Sequence, residues 1–164
     1  MGDFEIRQPL PEEYAAAGAV TVEAYEVDGH LAGDVGYDKE LRDIARRVEL
    51  AEVLVAIDAA GNVLGTVTIV GPGSEYAEIS RDGELEFRML AVTPKARGRG
   101  VGEALTRAVL DRARALGLSR VVLSSLAGMR SAHRLYERLG FTRLAERDWW
   151  PFPHVLLIAY EIDL

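Results

Sequence analysis

The residues Arg97-Gly98-Arg99-Gly100-Val101-Gly102 alternate cations with bare backbone, and Lys95 adds another cation just before them. They stand where a strand-like run, 84–92, gives way at Pro94 to a helix-like run, 101–116. The first turn of a helix presents backbone N–H groups that have no partner inside the helix, at the positive end of its dipole. Phosphates bind at such ends. Gly98, Gly100 and Gly102 remove the side chains that would bar close approach, and Arg97 and Arg99 add fork-shaped charged donors. This spacing can therefore hold a diphosphate. A tight glycine turn with solvated arginines fits the same residues equally well. Other phosphate motifs do not fit. There is no Gly-Lys-Ser/Thr triplet of a P-loop. The dinucleotide fingerprint fails because Glu103 or Leu105 occupies its last position. No His-Arg-Asp of a kinase catalytic loop is present.

Other residues have chemical potential by type. Glu84 and Glu86 alternate with Leu85 and Phe87, so both carboxylates point to one face of a strand. That face could equally be an ordinary wet one with Arg88 as neighbour. Tyr136 falls in the stripe Ala132, Leu135, Tyr136, Leu139, which by spacing alone reads as a helix face with a core tyrosine. There is no cysteine, which excludes disulfides, thiolate metal sites and a cysteine nucleophile. His30, His133 and His154 show no metal-ligand spacing, so no metal is expected. His133 reads as a surface residue. His30, with Asp28 and Asp34, reads as part of a solvated loop over 26–36. The segment 148–155, DWWPFPHV, is stiff and aromatic. Trp149, Trp150 and Phe152 could wall an acceptor pocket, make a homodimer contact or pack in the core.

The elements that must position these groups follow from periodicity and breakers. Strands are predicted at 4–8, on either side of the Ala59-Ala60-Gly61-Asn62 turn within 53–70, and at 84–92, 120–125, 141–149 and 155–162. Helices are predicted at 11–25, 37–48, 101–116 and 129–139, with a loop over 71–83. The order β-α-α-β-β-β-α-β-α-β-β makes a mixed α/β sheet of about seven strands with about four helices, in which the strands 84–92 and 120–125 run parallel.

At 164 residues, with 49% hydrophobic and 27% charged residues, the chain is sized for one globular domain, 1–164, with a core that needs no disulfide or metal. No apolar run approaches the ~18 residues of a membrane span, and MGDFEIRQPL lacks the features of a signal peptide. A cytoplasmic protein with no membrane partner is expected. A net charge of −7 speaks against nucleic acid and leans toward a cationic partner.

The segment Leu90 to Pro94, L-A-V-x-P, followed by R-x-x-G-x-G, resembles the acetyl-CoA-binding motif of the GNAT superfamily of N-acetyltransferases. Residues 131–141, SAHRLYERLGF, are similar to that family's next segment, and the order of elements matches over nearly the whole chain. The resemblance implies a mostly antiparallel sheet with a splayed parallel pair. It implies that the backbone of Leu90, Ala91 and Val92 holds the pantetheine arm of acetyl-CoA, and that Arg97, Gly98, Arg99, Gly100, Val101 and Gly102 hold its pyrophosphate. It assigns Tyr136 as the acid that protonates the leaving sulfur. It points to Glu86, or else Glu84, as a base working through water. Met129 stands where the family often has asparagine, so that cofactor contact is either lost or made by Ser131. The implied reaction is transfer of acetyl from acetyl-CoA to a primary amine inside a ternary complex, the acceptor being a small cationic amine or else a protein lysine or N-terminus. A module that senses acyl-CoA without catalysis is the alternative.

Overall fold

The computed structural model describes residues 3–27 and 37–164. His30, Asp28 and Asp34 lie outside those residues. In chain order the elements are β1 (Phe4–Arg7), a 3-10 turn (Pro11–Glu13), α1 (Tyr14–Val27), α2 (Tyr37–Arg42), α3 (Ile44–Leu50), β2 (Glu52–Asp58), β3 (Val63–Val70), β4 (Glu84–Val92), a 3-10 turn (Pro94–Ala96), α4 (Val101–Ala115), β5 (Arg120–Leu126), α5 (Arg130–Arg138), β6 (Thr142–Arg143), a 3-10 turn (Ala145–Arg147), β7 (Trp149–Phe152) and β8 (Val155–Asp163). The strands form a mixed sheet. β4 and β5 pair in parallel, as expected, and the pairs β1–β2, β2–β3, β5–β8, β6–β8 and β7–β8 are antiparallel.

Three elements depart from the sequence reading. The helix expected at 37–48 breaks at Asp43, whose carboxylate accepts the Arg46 N–H at 3.1 Å and caps α3. α1 continues to Val27, into the stretch read as loop. The strand expected at 141–149 divides into β6, a 3-10 turn and β7. The cause lies in Asp148. Its carboxylate accepts the Ala159 N–H at 2.8 Å, the place of a strand carbonyl, and also pairs with Arg143. The chain therefore leaves β8 and returns, giving eight strands and five helices among the described residues.

The chain divides into two compact units. The first comprises Met1–Ile69 and Met89–Val109. Its core gathers Ala17, Ile44, Val55, Ile57 and Val63, flanked by Tyr14, Val20 and Val48. The β2–β3 turn closes because Asp58 accepts the N–H groups of Ala60 and Asn62 at 3.0 and 2.8 Å, while Gly61 takes the positive φ of 86° that the turn requires. Gly65 on β3 leaves room for α4: a Cβ there would stand 2.8 Å from the Ala91 carbonyl oxygen and 2.9 Å from a Val101 methyl.

The second unit comprises Val70–Arg88 and Leu110–Leu164. The parallel ladder runs from Glu84↔Arg120 to Phe87↔Leu123, while β5 stays paired with β8 through Leu126↔Leu157. Phe87, Tyr136, Phe141 and Tyr160 make a contiguous ring cluster with centroids 5.7 to 6.3 Å apart. β4 passes from this unit to the first between Arg88 and Met89. Met89 has φ 59°, and no other non-glycine among the described residues has positive φ. A left-handed residue inside a strand costs roughly 1–2 kcal/mol and turns the strand.

Candidate active site

The entrance to α4 lies in the first unit. Thr93 and Pro94 start a 3-10 turn, Arg97 is extended (φ −64°, ψ 144°), and Gly98 and Gly100 have φ 83° and 80°. A Cβ on either glycine would meet nothing within 4 Å, so positive φ, not crowding by the fold, selects glycine here, and the space above the loop is open. The first helical bond runs from the Ala104 N–H to the Gly100 carbonyl. The N–H groups of Gly98, Gly100, Val101 and Gly102 have no hydrogen-bond partner among the described residues. Together with the helix dipole they form a set of anion donors. The Arg99 guanidinium is held by the Asp3 carboxylate. Leu90, Ala91 and Val92 form the end of β4, and the Thr93 N–H bonds the Leu64 carbonyl at 2.9 Å.

Tyr136, Glu84, Glu86 and Ser131 belong to the second unit. Tyr136 lies on α5 and is 4% exposed, its ring edge-on to Phe87 and tilted against Phe141 and Tyr160. Burial, and secondarily Tyr160, pushes its hydroxyl pKa far above the ordinary 10, so it stays protonated at neutral pH. Ser131 is exposed at the start of α5 and accepts from Arg134 at 3.2 Å.

The two glutamates do face one side of β4, but that side is not wet. Glu86 is 0% exposed, and its carboxylate accepts the N–H groups of Glu78, Ile79 and Ser80 at 3.0 to 3.2 Å. It anchors the end of the loop between β3 and β4. Glu84 takes two bonds from Arg147, at 2.6 and 3.0 Å, and one from the Arg81 N–H. Burial opposes its charge, but these donors outweigh it and hold the carboxyl below the ordinary 4.5. Arg88 donates to the Tyr76 carbonyl at 3.1 Å and pairs with Glu78 at 3.1 Å, and Glu78 also accepts from Ser124.

His133 is a correction to the sequence reading. It is buried, 9% exposed, because it turns inward to Ser125 on β5, with its Nε2 3.1 Å from the Ser125 Oγ, and stacks on Tyr160 at 5.5 Å. The signal was available. Ser125 continues the inward alternation Val121, Leu123, and His133 precedes Tyr136 by three residues, one helical turn. Trp150 and Phe152 are 60% and 67% exposed, which removes the core reading for those two. Among the described residues, no cluster of His, Asp or Glu could hold a metal, and no helix is long and apolar enough to cross a membrane.

Comparison with known proteins places this geometry. The Acetyltransferase (GNAT) family model matches residues 12–141. N-acetylaspartate synthetase of Rattus norvegicus is 35% identical over 101 residues, which cover 62% of this chain and 31% of that protein. Mycothiol acetyltransferase of Arthrobacter sp. (strain FB24) is 39% identical over 109 residues, covering 62% of this chain and 32% of the relative. The chain thus spans about a third or less of the length of these curated relatives. Among solved structures, a GNAT-family acetyltransferase from Staphylococcus aureus Mu50 superposes with a TM-score of 0.78 at 15% identity, covering 98% of this chain and 99% of that one. The yncA protein of Salmonella typhimurium, solved with its cofactor acetyl-CoA, superposes with a TM-score of 0.69 at 23% identity, covering 99% and 95%. With the matched family segment spanning residues 12–141, the chain belongs to the acetyltransferase (GNAT) family.

Proposed function

We propose that the whole chain works as one acetyltransferase domain, moving an acetyl group from acetyl-CoA to a primary amine by direct attack in a ternary complex. The observation that carries this reading is the α4 entrance: four N–H donors without partners among the described residues, under open space, at the positive end of a 15-residue helix. The Arg97 to Gly102 backbone takes the pyrophosphate, with Arg99 exchanging Asp3 for phosphate. The backbone of Leu90, Ala91 and Val92 takes the pantetheine arm. Tyr136, kept neutral by burial, protonates the departing sulfur. The absence of cysteine rules out an acyl-cysteine relay. The net charge of −7 favours a small cationic amine over a protein amine as acceptor.

Calorimetric titration with CoA and with pantetheine, the arm without the diphosphate and the 3′-phosphoadenosine beyond it, tests the cradle. Pantetheine is expected to bind more than about 10²-fold more weakly, the loss of two charge-assisted hydrogen bonds at roughly 1.5 kcal/mol each. Equal affinity for the two would remove the cradle from the account. A non-catalytic acyl-CoA sensor is a second reading, supported by the engagement of both Glu84 and Glu86 in structural bonds. A sensor would bind acetyl-CoA without releasing thiol to any amine.

A further inference from the structure

We infer that Ser125 and His133 form a proton relay in the proposed transfer, the Ser125 hydroxyl meeting the acceptor amine and His133 Nε2 receiving the proton behind it. The inference rests on the functional reading above and answers what that reading leaves open, namely which group takes the amine's proton. Glu84 is committed to Arg147, and Glu86 to three loop N–H groups. Neither offers a carboxylate free of structural work.

Ser125 and His133 are both buried polar groups, at 6% and 9% exposure, and their polar atoms stand 3.1 Å apart. An apolar pair would fill such a place without the desolvation cost, so a buried polar pair there calls for a reason beyond packing. Ser125 lies two residues beyond Leu123, the last β5 residue paired with β4. The hydroxyl has one alternative acceptor, the Met129 Sδ at 3.7 Å. The imidazole also donates to the Leu126 carbonyl. A neutral ring has a single N–H, and when Nδ1 carries it Nε2 is left with the lone pair that the relay needs. Burial lowers the ring's pKa below the ordinary 6.5. The Leu126 carbonyl and Glu137 on α5 oppose that shift, and Arg143 on β6 adds to it. Tyr160 on β8 stacks on the ring and contacts Glu137 at 3.5 Å, while Arg143 lies over Tyr160 and pairs with Asp148. Tyr136, one turn further along α5, is shifted the opposite way. Two titratable groups pushed apart on one helix face, one neutral and one protonated at pH 7, are suited to be base and acid.

The balance is simple. The ammonium gives one proton to Ser125 as the Ser125 proton passes to His133, leaving an imidazolium. The neutral amine forms the C–N bond with the thioester carbonyl, and the C–S bond breaks with its electron pair on sulfur. Tyr136 protonates the sulfur and regains a proton from the nitrogen, which keeps one as the amide N–H. His133 later releases its proton to water.

The test pairs kinetics with NMR on the full chain. In His133→Gln, which keeps a side chain able to bond Ser125, kcat is expected to fall by roughly 10²- to 10⁴-fold. KM for acetyl-CoA should stay within about twofold. The acidic limb of the wild-type kcat profile, lying below the ordinary histidine pKa of about 6.5, should vanish. Ser125→Ala should lose kcat similarly. A folded His133→Gln that turns over within about threefold of wild type, or keeps the limb, overturns the relay. Nitrogen-15 NMR of histidine-labelled protein, with His133→Gln as the assignment control, reads the ring without any acceptor. A neutral ring protonated at Nδ1 at pH 7 is expected, and an Nε2–H tautomer or a cation at pH 7 overturns the relay. A wild type that binds acetyl-CoA but turns over no amine defeats the functional reading itself, and that failure is recognised because it needs no variant.

Discussion

Tyr136 and the glycines of the α4 entrance carry the residue-scale argument. Tyr136 is buried among rings, yet as the proposed acid it must meet sulfur, so its hydroxyl is the part under test. Tyr136→Phe keeps the edge-on contacts with Phe87 and removes only that hydroxyl. Turnover should fall by roughly 10²- to 10⁴-fold while acetyl-CoA binding, read by calorimetry, holds. Gly100→Ala forces a Cβ onto φ 80°. It should cost about 1–2 kcal/mol of stability or else reshape the loop; either way acetyl-CoA affinity drops, although no fold atom lies near the new Cβ. The motif residues were legible because glycine spacing and charge are written in residue types. Glu84 and Glu86 were legible as a shared face but not as a buried one. Their partners, Arg147 and the N–H groups of 78–80, come from distant sequence that no period of two announces.

At the scale of elements, the fold turns on a few local devices. Gly65 is the contact point of β3 with α4 and β4. Gly65→Ala would drive a methyl to 2.8 Å from the Ala91 carbonyl oxygen, backbone that cannot yield cheaply. A loss of about 1–3 kcal/mol by thermal or urea unfolding is expected, with acetyl-CoA affinity reduced because Ala91 belongs to the proposed arm-binding backbone. Asp43→Ala should cost about 1 kcal/mol through the lost cap of α3. The bounds of β4 were legible to the residue, since its apolar run ends at a proline. The breaks at Asp43 and Asp148 were not, because each depends on one carboxylate choosing a backbone N–H over solvent. The burial of His133 is written only in spacing, through the alternation that carries Ser125 inward and the turn that separates His133 from Tyr136, because neither polar residue marks a core face by hydrophobicity.

For the molecule as a whole, charge bears on stability and on the proposed acceptor. Glu84 is held below its ordinary pKa of 4.5 chiefly by donors that overcome its burial. Its contribution is therefore full above about pH 4.5 and is lost as pH falls through the lowered value, so unfolding followed by circular dichroism should show stability dropping on that acidic side. Arg147→Met leaves the buried Glu84 with the Arg81 N–H and a single, more distant guanidinium, Arg120 at 3.5 Å, and should cost about 3–5 kcal/mol. The net charge of −7 is the basis for proposing a cationic acceptor, and the absence of any thiol in the chain makes the decisive assay clean. That measurement is release of CoA thiol from acetyl-CoA across polyamines, aminoglycosides, amino acids and lysine peptides, with wild type beside Tyr136→Phe. The account predicts release that depends on an amine and collapses in the variant. A wild type that binds acetyl-CoA tightly yet releases no thiol to any amine would contradict it.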